Sequence, residues 1–128
     1  MTEDLRNSII SELRCNNICA QASDNHILIQ TTIENIDLEL RCEFNEAFPY
    51  EFPSIYLNGD SRDKIPAMPH INTDGSICIF DEGVAVANFM QPEKLACETI
   101  QKAISIIQHG VRKENFWDFL DEFNAYWS

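Results

Sequence analysis

The sequence predicts an α+β domain in which helices pack on an antiparallel meander. Three observations lead there: an amphipathic segment at the start, period-two strand patterns after it, and helical periodicity again from Pro92. A length of 128 residues suits one domain with one core, taken as residues 1–128.

Leu5, Ile9, Ile10 and Leu13 recur at near-helical intervals within residues 3–16, with Thr2 able to cap and Glu3 and Asp4 in the first turn. A first strand is expected near residues 18–22. Ile27, Ile29, Thr31 and Ile33 then alternate with His26, Leu28, Gln30 and Thr32, a strand with a buried face. Leu38, Leu40, Cys42 and Phe44 alternate with Asp37, Glu39, Arg41 and Glu43, which marks an antiparallel strand wet on one side. Glu34-Asn35 between these runs can supply a hairpin turn. A fourth strand, 54–57, follows the Phe48-Pro49…Pro53 segment.

After Asn58-Gly59-Asp60 little periodicity remains, and Pro66, Pro69, Gly75 and Gly83 predict an irregular stretch. A stretch of about 30 such residues is uncommon in a compact domain and usually carries function. Pro92 suits the first turn of a helix, and Leu95, Ala96, Ile100, Ala103, Ile104 and Ile107 form its apolar face. Gly110 is expected to stop it. A last helix from about Lys113 would carry Phe116, Phe119, Leu120, Phe123 and Trp127 as core aromatics. The predicted order is a helix, four strands, a long irregular crossing and two C-terminal helices.

Nine Lys and Arg against 21 Asp and Glu give a net charge of −12 with no basic cluster, which argues against nucleic acid as a partner. Solubility accounts for most of that acidity; a basic partner or a lysine-bearing substrate is the functional reading at a site. No apolar run approaches the roughly 20 residues of a membrane span, and the acidic N-terminus is unlike a secretory signal, so a cytoplasmic protein without a membrane partner is expected. Five cysteines, an odd number, argue against a disulfide framework. Cys15 and Cys19 lack a second Cys/His pair to complete a zinc site, so neither metal nor cofactor is expected. Cys42 lies on an apolar strand face, Cys97 within a helix, and Cys15 and Cys19 beside a turn, all readable as small hydrophobes. Cys78 alone falls in the irregular stretch, shortly after Gly75.

Two segments resemble the ubiquitin-conjugating enzymes. Phe48-Pro49-Tyr50-Glu51-Phe52-Pro53-Ser54-Ile55-Tyr56-Leu57 is similar to that family's aromatic and proline-rich entry into its fourth strand. His70-Ile71-Asn72 followed by Gly75-Ser76-Ile77-Cys78 is similar to its His-Pro-Asn element leading to the thioester cysteine. The order of elements matches that fold over nearly the whole chain. Three departures stand out. Ile71 replaces the family's proline, the gap from Asn72 to Cys78 is shorter than usual by two residues, and no tryptophan follows Cys78 before Pro92. These features resemble the divergent bacterial branch found in antiphage operons with activating enzymes and cyclic-oligonucleotide signalling proteins.

The resemblance implies that Cys78 accepts a protein C-terminus as a thioester and passes it to an amine or thiol. The donor would be a ubiquitin-like protein or a nucleotidyltransferase, and the activating enzyme a separate chain. Asn72 would donate to the oxyanion, or it shapes the Asn-Thr-Asp-Gly turn; both readings stand. The matching histidine, His70, would support the loop. Asp81 and Glu82 would orient an incoming amine, or are solvated loop acids. Acidic neighbours, with no Lys or Arg between Lys64 and Lys94, predict a nucleophile that relies on a docked partner. The competing reading is a binding module of the same fold without chemistry. An unrelated cysteine hydrolase is disfavoured, since no Cys-His-acid arrangement stands out.

Overall fold

The computed structural model describes residues 2–24, 26–65, 70–79 and 90–127, with side chains described as far as Arg112. Helix α1 spans Glu3–Cys15, and strands β1 (Cys19–Ser23), β2 (His26–Ile33), β3 (Ile36–Glu43) and β4 (Ser54–Leu57) follow. A 3-10 turn covers Gly59–Lys64, a short strand β5 covers Ser76–Ile77, and helix α2 runs from Pro92 to Trp127. The sheet order β1-β2-β3-β4-β5 is antiparallel throughout. The α+β arrangement is the one the sequence predicts.

Helix α1 starts where Thr2 Oγ1 accepts from the Leu5 N–H at 3.2 Å. It ends in a Schellman motif: the Ile18 N–H donates to Leu13 O at 2.9 Å, the Asn17 N–H donates to Arg14 O at 3.1 Å, and Asn17 sits at φ 63°. The chain thereby turns directly into β1. Glu34 and Asn35, at φ 50° and 66°, close the β2–β3 hairpin in the two-residue turn whose twist suits antiparallel strands.

Alternation sorts the sheet into two faces. Ala20, Ile27, Ile29, Ile33, Leu38, Leu40, Cys42, Ile55, Leu57 and Ile77 point inward and form one cluster with Ile9, Leu13, Ile100 and Ile107 of the two helices. The opposite face is polar and open, as the charge alternation in 37–43 requires. Arg41 stands over the Tyr56 ring at 4.7 Å, donates to Asn58 Oδ1 at 3.0 Å, and has Nε 3.0 Å from Glu43 Oε1, too poorly aligned for a hydrogen bond.

Two expectations are corrected. The C-terminal region is one continuous helix, Pro92–Trp127, in place of two. Glycine inside a helix costs about 0.5–1 kcal/mol against alanine, yet Gly110 removes no hydrogen bond, and no proline follows it. The crossing is also less irregular than predicted, since it holds the 3-10 turn and adds β5 to the four-stranded meander. Its Pro66, Pro69 and Gly83 lie outside the described residues, as do the side chains of Phe116, Phe119, Leu120, Phe123 and Trp127. No helix of the described residues is long and apolar enough to cross a membrane.

Because Asn35 sits in the left-handed region, its side chain matters less than its backbone. Asn35→Gly should match or slightly exceed wild-type stability in urea denaturation, whereas Asn35→Val should cost about 1–2 kcal/mol. A neutral Asn35→Val would contradict this turn geometry.

Candidate active site around Cys78

Residues 70–78 form a small hairpin laid against the end of β4. The Gly75 N–H donates to Asn72 O at 3.0 Å, and the Asn72 N–H donates to Ser76 O at 2.9 Å. Ile71 bridges Ile77, and the Cys78 N–H donates to His70 O at 2.7 Å. Gly75, at φ 89°, takes the left-handed position that follows a tight turn in a three-residue loop. Asn, Asp and Gly in this order suit that turn.

Gly75 has a second reason to be glycine. A Cβ there would lie 2.9 Å from the Leu57 carbonyl oxygen, while the Leu57 N–H donates to Gly75 O at 2.8 Å. The hairpin tip therefore presses backbone against backbone at the end of β4. Strand β5 continues the sheet from there, with Ile77 opposite Ile55 and Ser76 opposite Tyr56. Ile77 faces inward, so Ser76 and Cys78 fall on the open face by alternation. Cys78 is half-buried in a groove of about 280 Å³ that Phe52, Pro53, Ser54, Tyr56, Ser76 and Ile79 also line.

Asn72 lies across from Ser76, two positions along the hairpin from Cys78, on the same face. Its side chain is already engaged: Nδ2 donates to Ser76 Oγ at 2.9 Å. Ser76 in turn donates to Asp74 Oδ1 from its hydroxyl at 2.6 Å and from its backbone N–H at 2.9 Å. These bonds hold the Asp74 carboxyl below the usual carboxylate range, the Ser76 hydroxyl first and its N–H second, with the Arg62 guanidinium assisting. A depressed carboxylate stabilises the fold above its unfolded pKa and ceases to as pH falls through the folded value. Asp74 is thus an anionic acceptor throughout the neutral range.

Among the sequence candidates, the structure brings His70, Asn72 and Cys78 into this one hairpin, His70 through its carbonyl. Asp81 and Glu82 lie outside the described residues. Sequence reading passed over Ser76 as the hydrogen-bonding partner of Asn72, and Asp74 as that of Ser76. The Asn-x-Asp-Gly-Ser string was the available signal, since Asp commonly bonds a backbone N–H two residues on.

The five thiols differ sharply. Cys42 and Cys97 are buried; burial, then Glu43, raises the first, and burial, then Glu12 and Glu98, pushes the second up to about 11. Both remain protonated and shielded at neutral pH. Cys15 and Cys19 are exposed. In the native protein a thiol reagent should label Cys15, Cys19 and Cys78 quickly, and Cys42 and Cys97 only on unfolding, as read by peptide mass mapping. Rapid native labelling of Cys42 would contradict the packing described. Gly75→Ala should cost about 2–4 kcal/mol in urea denaturation, the sum of left-handed strain and the backbone clash; a cost below about 0.5 kcal/mol would refute it.

Comparison with known proteins agrees with this architecture. Prokaryotic E2 family B matches residues 11–128. The ATP-dependent ubiquitin transferase-like protein Cap2 of Pseudomonas aeruginosa (strain BWHPSA011 / Pa011) is 33% identical over 80 residues, 61% of this chain. The match takes in 14% of that relative's length. No solved structure gives a significant match. With the family matching nearly the whole chain, and the helix-meander-helix order in place, the chain belongs to prokaryotic E2 family B.

Proposed function

We propose that this protein is a ubiquitin-conjugating-like carrier whose Cys78 accepts a protein C-terminus as a thioester. The observation that carries the reading is the placing of one half-buried cysteine in a groove on the open sheet face, beside a hairpin that presents Asn72 on the same side. Membership of an E2 family and likeness to a relative named for ATP-dependent ubiquitin transfer support it.

The chemistry needs a thiol, because a thiolate attacks well and its thioester stays activated. The Cys78 thiolate attacks the thioester carbonyl carried by an activating enzyme. The tetrahedral intermediate collapses, the new C–S bond remains, and the activating enzyme's thiolate leaves. An acceptor amine then attacks the Cys78 thioester, loses a proton, and expels the Cys78 thiolate. Asn72 donates from its amide to the oxyanion of these intermediates, a contribution of roughly 100- to 1,000-fold for donors of this type. His70 supports the hairpin through its carbonyl, and Asp81 and Glu82 orient the amine.

The acyl donor in this reading is a ubiquitin-like protein or the C-terminus of a nucleotidyltransferase, and the activating enzyme is a distinct catalytic partner. Residues 1–128 act as one domain, in the cytoplasm, without nucleic acid or membrane, in bacterial antiviral defence of the CBASS kind. Incubation with the cognate activating enzyme, ATP and donor should give a thiol-sensitive adduct on a non-reducing gel, lost in Cys78→Ala. An undiminished adduct in that variant would sink the assignment to Cys78. No adduct from a verified cognate set would favour a non-catalytic docking module of the same fold. Asn72→Ala should slow discharge by about 100-fold while slowing loading less; equal effects would make Asn72 a turn residue only.

A further inference from the structure

Asn72 is not the last group in its hydrogen-bonded chain. Its amide nitrogen donates to Ser76 Oγ at 2.9 Å, and that hydroxyl donates to Asp74 Oδ1 at 2.6 Å. The same carboxylate oxygen takes the Ser76 backbone N–H at 2.9 Å. Ser76 is a strand residue paired with Tyr56 across β4, so its backbone is fixed by the sheet. We propose that Asp74 and Ser76 are positioning residues that aim the Asn72 amide at the acyl group on Cys78.

The physical argument runs through the second N–H of Asn72. A free asparagine side chain on an exposed turn samples several rotamers and two amide orientations, and can point either its oxygen or its nitrogen at a reacting group. Only the nitrogen end stabilises an oxyanion. Ser76 Oγ, whose own proton is committed to Asp74, can only accept, so it selects the nitrogen end of Asn72 and rejects the oxygen. One N–H is thereby held and the amide plane is set, leaving the second N–H of defined direction. The bond to an anionic carboxylate is charge-assisted and polarises the Ser76 oxygen toward stronger acceptance. Asp74 is kept ionised chiefly by Ser76 itself, with Arg62 of the 3-10 turn nearby. Ser76 and Cys78 are alternate residues of one extended segment, so a group pinned over Ser76 stands about 7 Å from the Cys78 backbone, within side-chain reach.

This inference rests on the thioester reading, and one experiment separates the two. In a background with Cys15→Ser and Cys19→Ser, Cys78 is charged by exchange with a glycine-terminated peptide thioester of 2-mercaptoethanesulfonate. Discharge to free lysine is followed by intact mass. Ser76→Val and Ser76→Thr have the same shape and differ in the hydroxyl. Ser76→Val should slow discharge by about tenfold, a loss of orientation without loss of the donor, and Ser76→Thr should stay within about twofold of the parent. Asn72→Ala combined with Ser76→Val should be no slower than Asn72→Ala alone, because Ser76 acts only through Asn72. A purely structural serine would multiply with Asn72→Ala, and that result overturns the proposal, as does parental discharge in Ser76→Val. If the charged parent discharges no faster than the same acyl group on a short cysteine peptide, the thioester reading itself fails, and this inference with it.

Discussion

The contact between Gly75 and the end of β4 is the constraint on which the site depends. Leu57 is the last residue of β4 and is held on its other side by Leu40, so its backbone cannot retreat without opening the sheet. Its N–H reaches Gly75 O at 2.8 Å, and its carbonyl occupies the space where any other residue at 75 would carry a Cβ. Only a residue that is both tolerant of φ 89° and without a side chain meets both conditions. From that point the hairpin has little freedom. Ile77 drops into the core opposite Ile55, and alternation delivers Ser76 and Cys78 to the open face. The direction of the Cys78 side chain is therefore a consequence of core packing at the residue next to it.

The open face is ordered by polar contacts although it is wet. Glu39 accepts from Gln30 and Asn58 side chains at 2.8 and 3.0 Å, and its backbone N–H donates to Ser61 Oγ at 2.7 Å. Asn58 also accepts from Arg41, which lies on Tyr56. An exposed ion pair such as Arg41 with Glu43 contributes little alone. A guanidinium that stacks on an aromatic ring and bonds an amide loses less freedom per contact. Tyr56 pairs with Ser76, so this network continues to the hairpin that bears Cys78. Part of the acidic excess is accordingly structural, spent on holding one arginine in place.

The fold was legible wherever local chemistry and tertiary packing agree. Thr2 caps α1 as its position suggests, Glu34-Asn35 makes the hairpin turn, and 54–57 is a strand. The errors came where a local rule was weak against packing. Gly110 reads as a stop, but a helix already formed by Ile100, Ala103 and Ile107 against the core passes through one glycine at small cost. The β5 strand was illegible because two residues carry no period; its pairing with Ile55 and Tyr56 and the Ile71 bridge define it. At the site, Cys78 stood out from the pattern of the other four cysteines. The Asn72–Ser76–Asp74 chain did not, since its bonds depend on the pleat that aligns positions 72 and 76, and pairing is a property of the folded hairpin.

The spacing between Asn72 and Cys78, which resembles a defect beside the family's usual pattern, has a geometric meaning in this chain. With one residue at each of positions 73, 74 and 75, the loop closes in the shortest form that uses a single left-handed glycine. That closure aligns Asn72 with Ser76 and His70 with Cys78 in consecutive hydrogen-bonded pairs. Two further residues in the turn would carry Asn72 off the ladder and separate its amide from the Ser76 hydroxyl. They would also move the glycine away from Leu57, where no other residue fits. The shorter gap and Gly75 are thus one feature: a hairpin tight enough to lie against β4 must bring Asn72 onto the face of Cys78, and a looser one would do neither.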